Sequence, residues 1–181
     1  MEPQQSKDQA QTLWTIDPKH SVVQFRIKNL FFFTVAGRFA DLAGTITLDE
    51  ADLRRSAVEF TVKAASVETG NRRRDDHLRS ADFLEAEKYP AIRFQSTSVE
   101  KGRDRDTLRV TGTLTIKGSS REVVLDVTAL DRSRSPQGEE VIYYTALAEV
   151  NRFDFGIDYG RGLIGSTLKI TVQIQALKRG G

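Results

Sequence analysis

Leu108-Arg109-Val110-Thr111-Gly112-Thr113-Leu114-Thr115-Ile116-Lys117-Gly118-Ser119-Ser120-Arg121-Glu122-Val123-Val124-Leu125-Asp126-Val127 is the stretch on which the fold turns. Leu108, Val110, Gly112, Leu114 and Ile116 alternate with Arg109, Thr111, Thr113 and Thr115, the two-residue period of a strand with one buried face. Gly118 and its serines make a turn, after which Val123, Leu125 and Val127 resume the alternation; the whole reads as a β-hairpin.

The same period extends in both directions. Toward the N-terminus it recurs in Ser21, Val23, Phe25 and Ile27, in Gly44, Ile46 and Leu48, in Val58, Phe60, Val62 and Ala64, and in Ile92 and Phe94. Toward the C-terminus a polar loop at Arg132–Gly138 precedes a long run from Val141 to Asn151, and Leu168, Ile170, Val172, Ile174 and Ala176 close the chain. The count is eight strands. Two segments depart from the pattern. Asn71–Arg79, continuing to Phe83 and Leu84, is rich in helix-compatible residues and reads as a helix or two short turns; Leu30–Val35 follows the first strand with no Gly or Pro between, and its conformation is left open. An antiparallel sheet with one apolar face buries that face on itself or on a second sheet, so the elements specify a closed barrel or a sandwich. An eight-stranded barrel is just wide enough to be filled by side chains or to hold one slender ligand.

Composition narrows the function classes. Of 181 residues 39% are hydrophobic, which excludes wholesale disorder, and 27 basic against 25 acidic residues leave a net charge of only +2, so nucleic acid is not an expected partner. Without cysteine there is no disulfide, thiolate metal site or cysteine nucleophile. Residues 1–12 are polar throughout and read as a disordered tail ahead of one domain over 13–178; with no apolar signal run in them, the expectation is a cytoplasmic protein. The longest apolar stretch, Leu30–Ala36, is far short of the ~20 residues of a membrane-spanning helix, so no transmembrane segment is expected.

Few residues point to chemistry. Gly160-Arg161-Gly162-Leu163-Ile164-Gly165 spells G-x-G-x-x-G, but a strand and not a helix follows it, and it reads as a loop between the last two strands. Arg72-Arg73-Arg74 is a solvated helix start, offset by Asp75 and Asp76, or a source of one or two arginines near a pocket mouth. His20 and His77 lack metal-ligand spacing, and Ser21, next to His20, points to the opposite strand face, so neither a metal site nor a nucleophile and base pair is assigned. The unusual feature is phenylalanine, ten in all, with three in a row at Phe31, Phe32 and Phe33 that cannot all face one way. At least one of those three therefore faces solvent or a pocket mouth.

Trp14-Thr15-Ile16-Asp17 with His20-Ser21, Val23 and Phe25, then Gly37-Arg38-Phe39, resemble the opening of the YceI-like, polyisoprenoid-binding family. Ser66–Asn71, Arg74-Asp75-Asp76-His77-Leu78, Ser80-Ala81-Asp82-Phe83, Tyr89–Phe94 and Gly112–Gly118 look like its motifs in family order, and Asn151-Arg152-Phe153-Asp154-Phe155-Gly156-Ile157 like its closing signature. The resemblance covers roughly residues 13 to 178. It implies an all-β, eight-stranded antiparallel lipocalin-like β-barrel with a short helical segment near one end and an apolar tunnel for a long isoprenoid chain. One departure is Asn29, where family members often carry a histidine at the end of the first strand.

These readings together predict a non-catalytic carrier or store of a long-chain isoprenoid lipid, of polyprenyl phosphate or isoprenoid quinone type, that needs no cofactor beyond this ligand. Alternation places Phe25, Ile27, Phe39, Phe60, Phe94, Leu114 and Val127 on the tunnel wall, with Phe33, Phe83 and Phe155 nearer its mouth. Arg152 and Asp154 are candidates for a head-group contact or a buried ion pair. Two alternatives stand beside the carrier: a lipid-modifying enzyme using the same cavity, and a protein-interaction module that presents Phe31–Phe33 on a solidly packed barrel. A homodimer joined through barrel edges is compatible with all three.

Overall fold

The computed structural model describes residues 11–29 and 33–180. The strands are β1 (Gln11–Ile16), β2 (Val22–Asn29), β3 (Thr34–Phe39), β4 (Leu42–Asp49), β5 (Ala57–Lys63) and β6 (Val67–Glu68), followed by helix α1 (Arg72–Arg79) and then β7 (Ala91–Lys101), β8 (Thr107–Ile116), β9 (Ser119–Arg134), β10 (Glu140–Asn151) and β11 (Ile164–Lys178). All named pairings are antiparallel, and β11 pairs both β1 and β2, which closes the sheet into a barrel.

Eleven strands make eight staves, because three staves are interrupted. β1 and β2 are two halves of the first, β3 and β4 of the second, and β5 and β6 of the third: β2 pairs β3 (Val23↔Phe39) while β1 pairs β4 (Trp14↔Ile46), and β4 pairs β5 (Leu42↔Val62) while β3 pairs β6 (Phe39↔Val67). From there each strand pairs with the next in sequence up to β11. Closure settles the choice between barrel and sandwich, and it leaves no long unpaired edge.

The break in the first stave has a local cause. Pro18 has no N–H to give the ladder, and Asp17 and His20 turn back on each other, the His20 ring lying 2.7 Å from the Asp17 carboxylate. That histidine hydrogen bond holds the Asp17 carboxyl below its ordinary range. At the break Ser21, 5% exposed, replaces backbone with side chain: its Oγ accepts from the Gln175 N–H at 3.1 Å and donates to the Gln175 carbonyl at 3.3 Å. Ser21→Ala orphans the Gln175 N–H, while the Gln175 carbonyl keeps the Asp17 N–H at 2.8 Å, and is expected to lower stability by about 1–2 kcal/mol in denaturant titration.

Residues 11 and 12, read from sequence as tail, belong to β1. Gln11 pairs Asp49 and Thr12 pairs Leu48, and Trp14, 2% exposed, donates its indole N–H to Thr12 Oγ1 at 2.8 Å. Gln11 shares the outer face of Leu13 and Thr12 the face of buried Trp14, but both are polar residues at a strand end, which residue type alone cannot separate from a loose terminus. The rest of the expected tail, residues 1–10, lies outside the described residues.

The helical segment is α1, capped by Asn71, whose side chain accepts from the Arg74 N–H at 3.0 Å. Arg79 fastens α1 to the break between β5 and β6, donating to the carbonyls of Ala65 at 2.8 Å and Val67 at 3.0 Å. Asp75, buried, accepts from the Thr69 N–H at 2.8 Å. The helix is thereby held over the barrel end at which β2, β8 and β10 finish and β11 begins. The opposite end is closed by a core that includes Trp14, Leu48, Val99 and Ile142.

Candidate functional site

The inward faces of the staves do not fill the barrel. A cavity of about 390 Å³ runs inward from the α1 end. It is lined by apolar side chains apart from Asn29, Arg74, His77, Arg152 and Tyr159. Those five sit at the rim, on the end of β2, on α1, and on the turn and loop that join β10 to β11. The site is thus a greasy tunnel with its polar groups gathered at one end.

Glycines keep the lumen open. Phe25 lies directly across from Gly37, and a Cβ there would stand 2.4 Å from the Phe25 ring; a Cβ at Gly112 would likewise meet the Phe94 ring at 2.4 Å. Each ring therefore lies over bare backbone of the neighbouring strand and serves as wall instead of plug. Phe25 also contacts Phe39, with ring centroids 5.5 Å apart.

Of the residues expected from sequence, Phe25, Ile27, Phe39, Phe60, Phe83, Phe94, Leu114, Arg152 and Phe155 all line this cavity. Two do not. Phe33 is 67% exposed: it stands just ahead of β3, its carbonyl accepting from the Asn29 N–H at 2.8 Å. Phe31 and Phe32 lie outside the described residues. Val127 faces inward but too deep, on a second chamber of about 60 Å³ toward the closed end. Tyr144 borders the same chamber, and burial raises its hydroxyl above the ordinary tyrosine range.

Arg152 corrects the expectation most sharply. It is 4% exposed and pairs with no carboxylate among the described residues; Asp154 faces solvent. Its guanidinium donates to four backbone carbonyls: Nε to Gly165 at 2.8 Å, Nη1 to Ile157 at 3.0 Å and Tyr159 at 2.7 Å, and Nη2 to Ile164 at 3.0 Å. Burial draws it below the usual arginine value, with Asp158 opposing the shift. The closing signature is therefore a staple. Asn151 caps the turn through the Phe153 N–H at 3.0 Å, Gly156 reverses the chain at φ 72°, and Phe153 lies beneath the guanidinium of Arg161 at 4.1 Å. Phe155, 2% exposed, anchors the turn in the core.

His77, Phe83 and Tyr159 form a ring cluster at the rim, with centroid separations of 4.9, 4.9 and 5.2 Å. His77 also meets Asp82 at 2.8 Å. Neither His77 nor Tyr159 is a sequence-expected site residue, since they arrive from a helix and a loop where no strand period marks an inward face. Of the arginine run only Arg74 reaches the cavity, with its Nε on Thr69 Oγ1 at 2.7 Å; Arg72 and Arg73 are exposed. Among the described residues no group of three or more His, Asp or Glu could hold a metal ion, and no helix is long and apolar enough to cross a membrane.

An up-and-down barrel closed at one end, with an apolar lumen and a polar rim at the other, defines a class of β-barrel proteins with an apolar internal cavity. Within it this chain belongs to the YceI-like family, whose domain model matches residues 14–176. It is 34% identical over 161 residues to protein YceI of Escherichia coli, covering 89% of this chain and 83% of that one. The crystal structure of BcnA from Burkholderia cenocepacia superposes with a TM-score of 0.79 at 21% identity, over 88% of this chain and 98% of the other. A polyisoprenoid binding domain from Saccharophagus degradans, implicated in plant cell wall breakdown, shares the fold with a TM-score of 0.68 at 16% identity, over 92% and 98% of the two chains.

Proposed function

We propose that the protein binds a long-chain isoprenoid lipid, of polyprenyl phosphate or isoprenoid quinone type, and carries or stores it unchanged. The observation that bears this reading is the distribution of polarity along the cavity: polar groups at the rim alone and hydrocarbon inward. A ligand with one polar head and a long apolar tail matches that distribution end for end. The family and the polyisoprenoid binding domain that shares its fold support the same ligand class. Each methylene moved from water to the tunnel gains about 0.8 kcal/mol, partly offset by ordering the chain.

The packed-barrel alternative expects no cavity, which the lumen contradicts. The enzyme alternative needs groups aimed at the ligand. Ser21 Oγ is engaged with Gln175 in the ladder, and four of the Arg152 N–H groups are held by backbone carbonyls. The reading is tested by titrating polyprenyl lipids of increasing length. Affinity is expected to rise with each added unit and then level off, with the lipid recovered chemically intact. Equal, weak binding at all lengths, or a converted product, contradicts it.

A further inference from the structure

The tunnel and the smaller chamber beyond it share three wall residues, Phe60, Leu125 and Val172, contributed by β5, β9 and β11. These strands belong to the third, sixth and eighth staves, spaced around the barrel, so their side chains converge on the lumen from different sides. Phe60 and Val172 are 8% and 3% exposed, and the Phe60 ring is stacked on Phe94 with centroids 5.2 Å apart and planes inclined by 24°. Beyond these three residues lies the smaller apolar space of about 60 Å³, bordered by Val127, Ala146 and Tyr144.

We propose that Phe60, Leu125 and Val172 form a bulkhead that sets the depth of the tunnel and so the longest isoprenoid tail the barrel accepts, with Phe60 as its principal element. The inference rests on the carrier reading above and adds to it the residues that select chain length. Removing the Phe60 phenyl ring frees an apolar volume comparable with an isoprene unit at the point where the two cavities meet. A longer tail then passes into the chamber.

The test compares a series of polyprenyl phosphates of stepwise length against the wild-type protein, Phe60→Ala, Leu125→Ala, Ala146→Leu and the double variant Phe60→Ala/Ala146→Leu, with thermal unfolding to confirm that each is folded. Ala146 borders the chamber and not the tunnel, so Ala146→Leu alone leaves the wild-type length profile in place. Phe60→Ala is expected to move the levelling-off point at least one isoprene unit longer and to tighten binding of the first excluded length by about tenfold. Leu125→Ala shifts it in the same direction and stands in if Phe60→Ala does not fold. Filling the chamber in the double variant brings the limit back below that of Phe60→Ala; a double variant that accepts the same longest tail as Phe60→Ala overturns entry into the chamber. A levelling-off point unmoved in the folded opening variants overturns the bulkhead and leaves the carrier reading standing. Absence of any length dependence in the wild-type protein overturns both.

Discussion

Replacing Arg152 with methionine is expected to lower the stability of the barrel by about 3–5 kcal/mol, read as a fall in the denaturant midpoint. The size follows from what the guanidinium holds. Four carbonyls in the segment from Ile157 to Gly165 lose their donor at once, and a buried carbonyl without a partner costs about 1–3 kcal/mol, moderated where water can enter. Methionine restores the apolar length of the side chain and none of the donors. Arg152→Lys recovers little, because one ammonium cannot span carbonyls that the planar fork reaches together. Hydrogen exchange over residues 157–165 should accelerate before that of the strands. A variant that folds as the wild type does and loses affinity for charged-head lipids alone would instead make Arg152 a head-group ligand.

Ala148→Phe is expected to cut lipid affinity by about a hundredfold, since excluding even four methylenes at ~0.8 kcal/mol each forfeits roughly 3 kcal/mol. Ala148 lies on β10 against the tunnel, opposite Ile170 on β11, and a benzyl group there occupies the lumen. Because that space is already empty, the overpacking cost should fall at or below the usual 1–3 kcal/mol, leaving a folded barrel that cannot accept a chain. Leu147, one residue away, is 53% exposed on the outer face, so Leu147→Phe is the matched control and should bind as the wild type does. Equal losses in both variants, or in neither, would place the ligand outside the lumen. Binding titration with a polyprenyl lipid and circular dichroism of each variant decide the point.

The barrel was legible because a closed sheet turns one face to oil and the other to water at every strand, and that alternation survives in residue types. All eight staves are marked by it, from Val23 and Phe25 through Leu114 to Val172. It fails where polarity and geometry part company. Gln11 and Thr12 are polar and still strand, because a polar strand end is indistinguishable in composition from a tail. Phe33 is apolar and still exposed, because it stands just ahead of β3 and not within it. Val127 has the right parity but sits beyond the partition, a depth that depends on how the staves are staggered. Arg152 is the instructive case. Its charge suggested an anion or carboxylate partner, whereas its partners are carbonyls of a loop whose path no local pattern specifies, and the same loop brings Tyr159 to the rim beside His77.

Native mass spectrometry of the purified protein, followed by organic extraction of whatever it releases, asks whether the lumen holds an isoprenoid lipid. A stoichiometric adduct that is removed by extraction and identified as an isoprenoid, with its head group intact, is the predicted result. A clean protein mass that persists after incubation with polyprenyl lipids of several lengths would contradict the account.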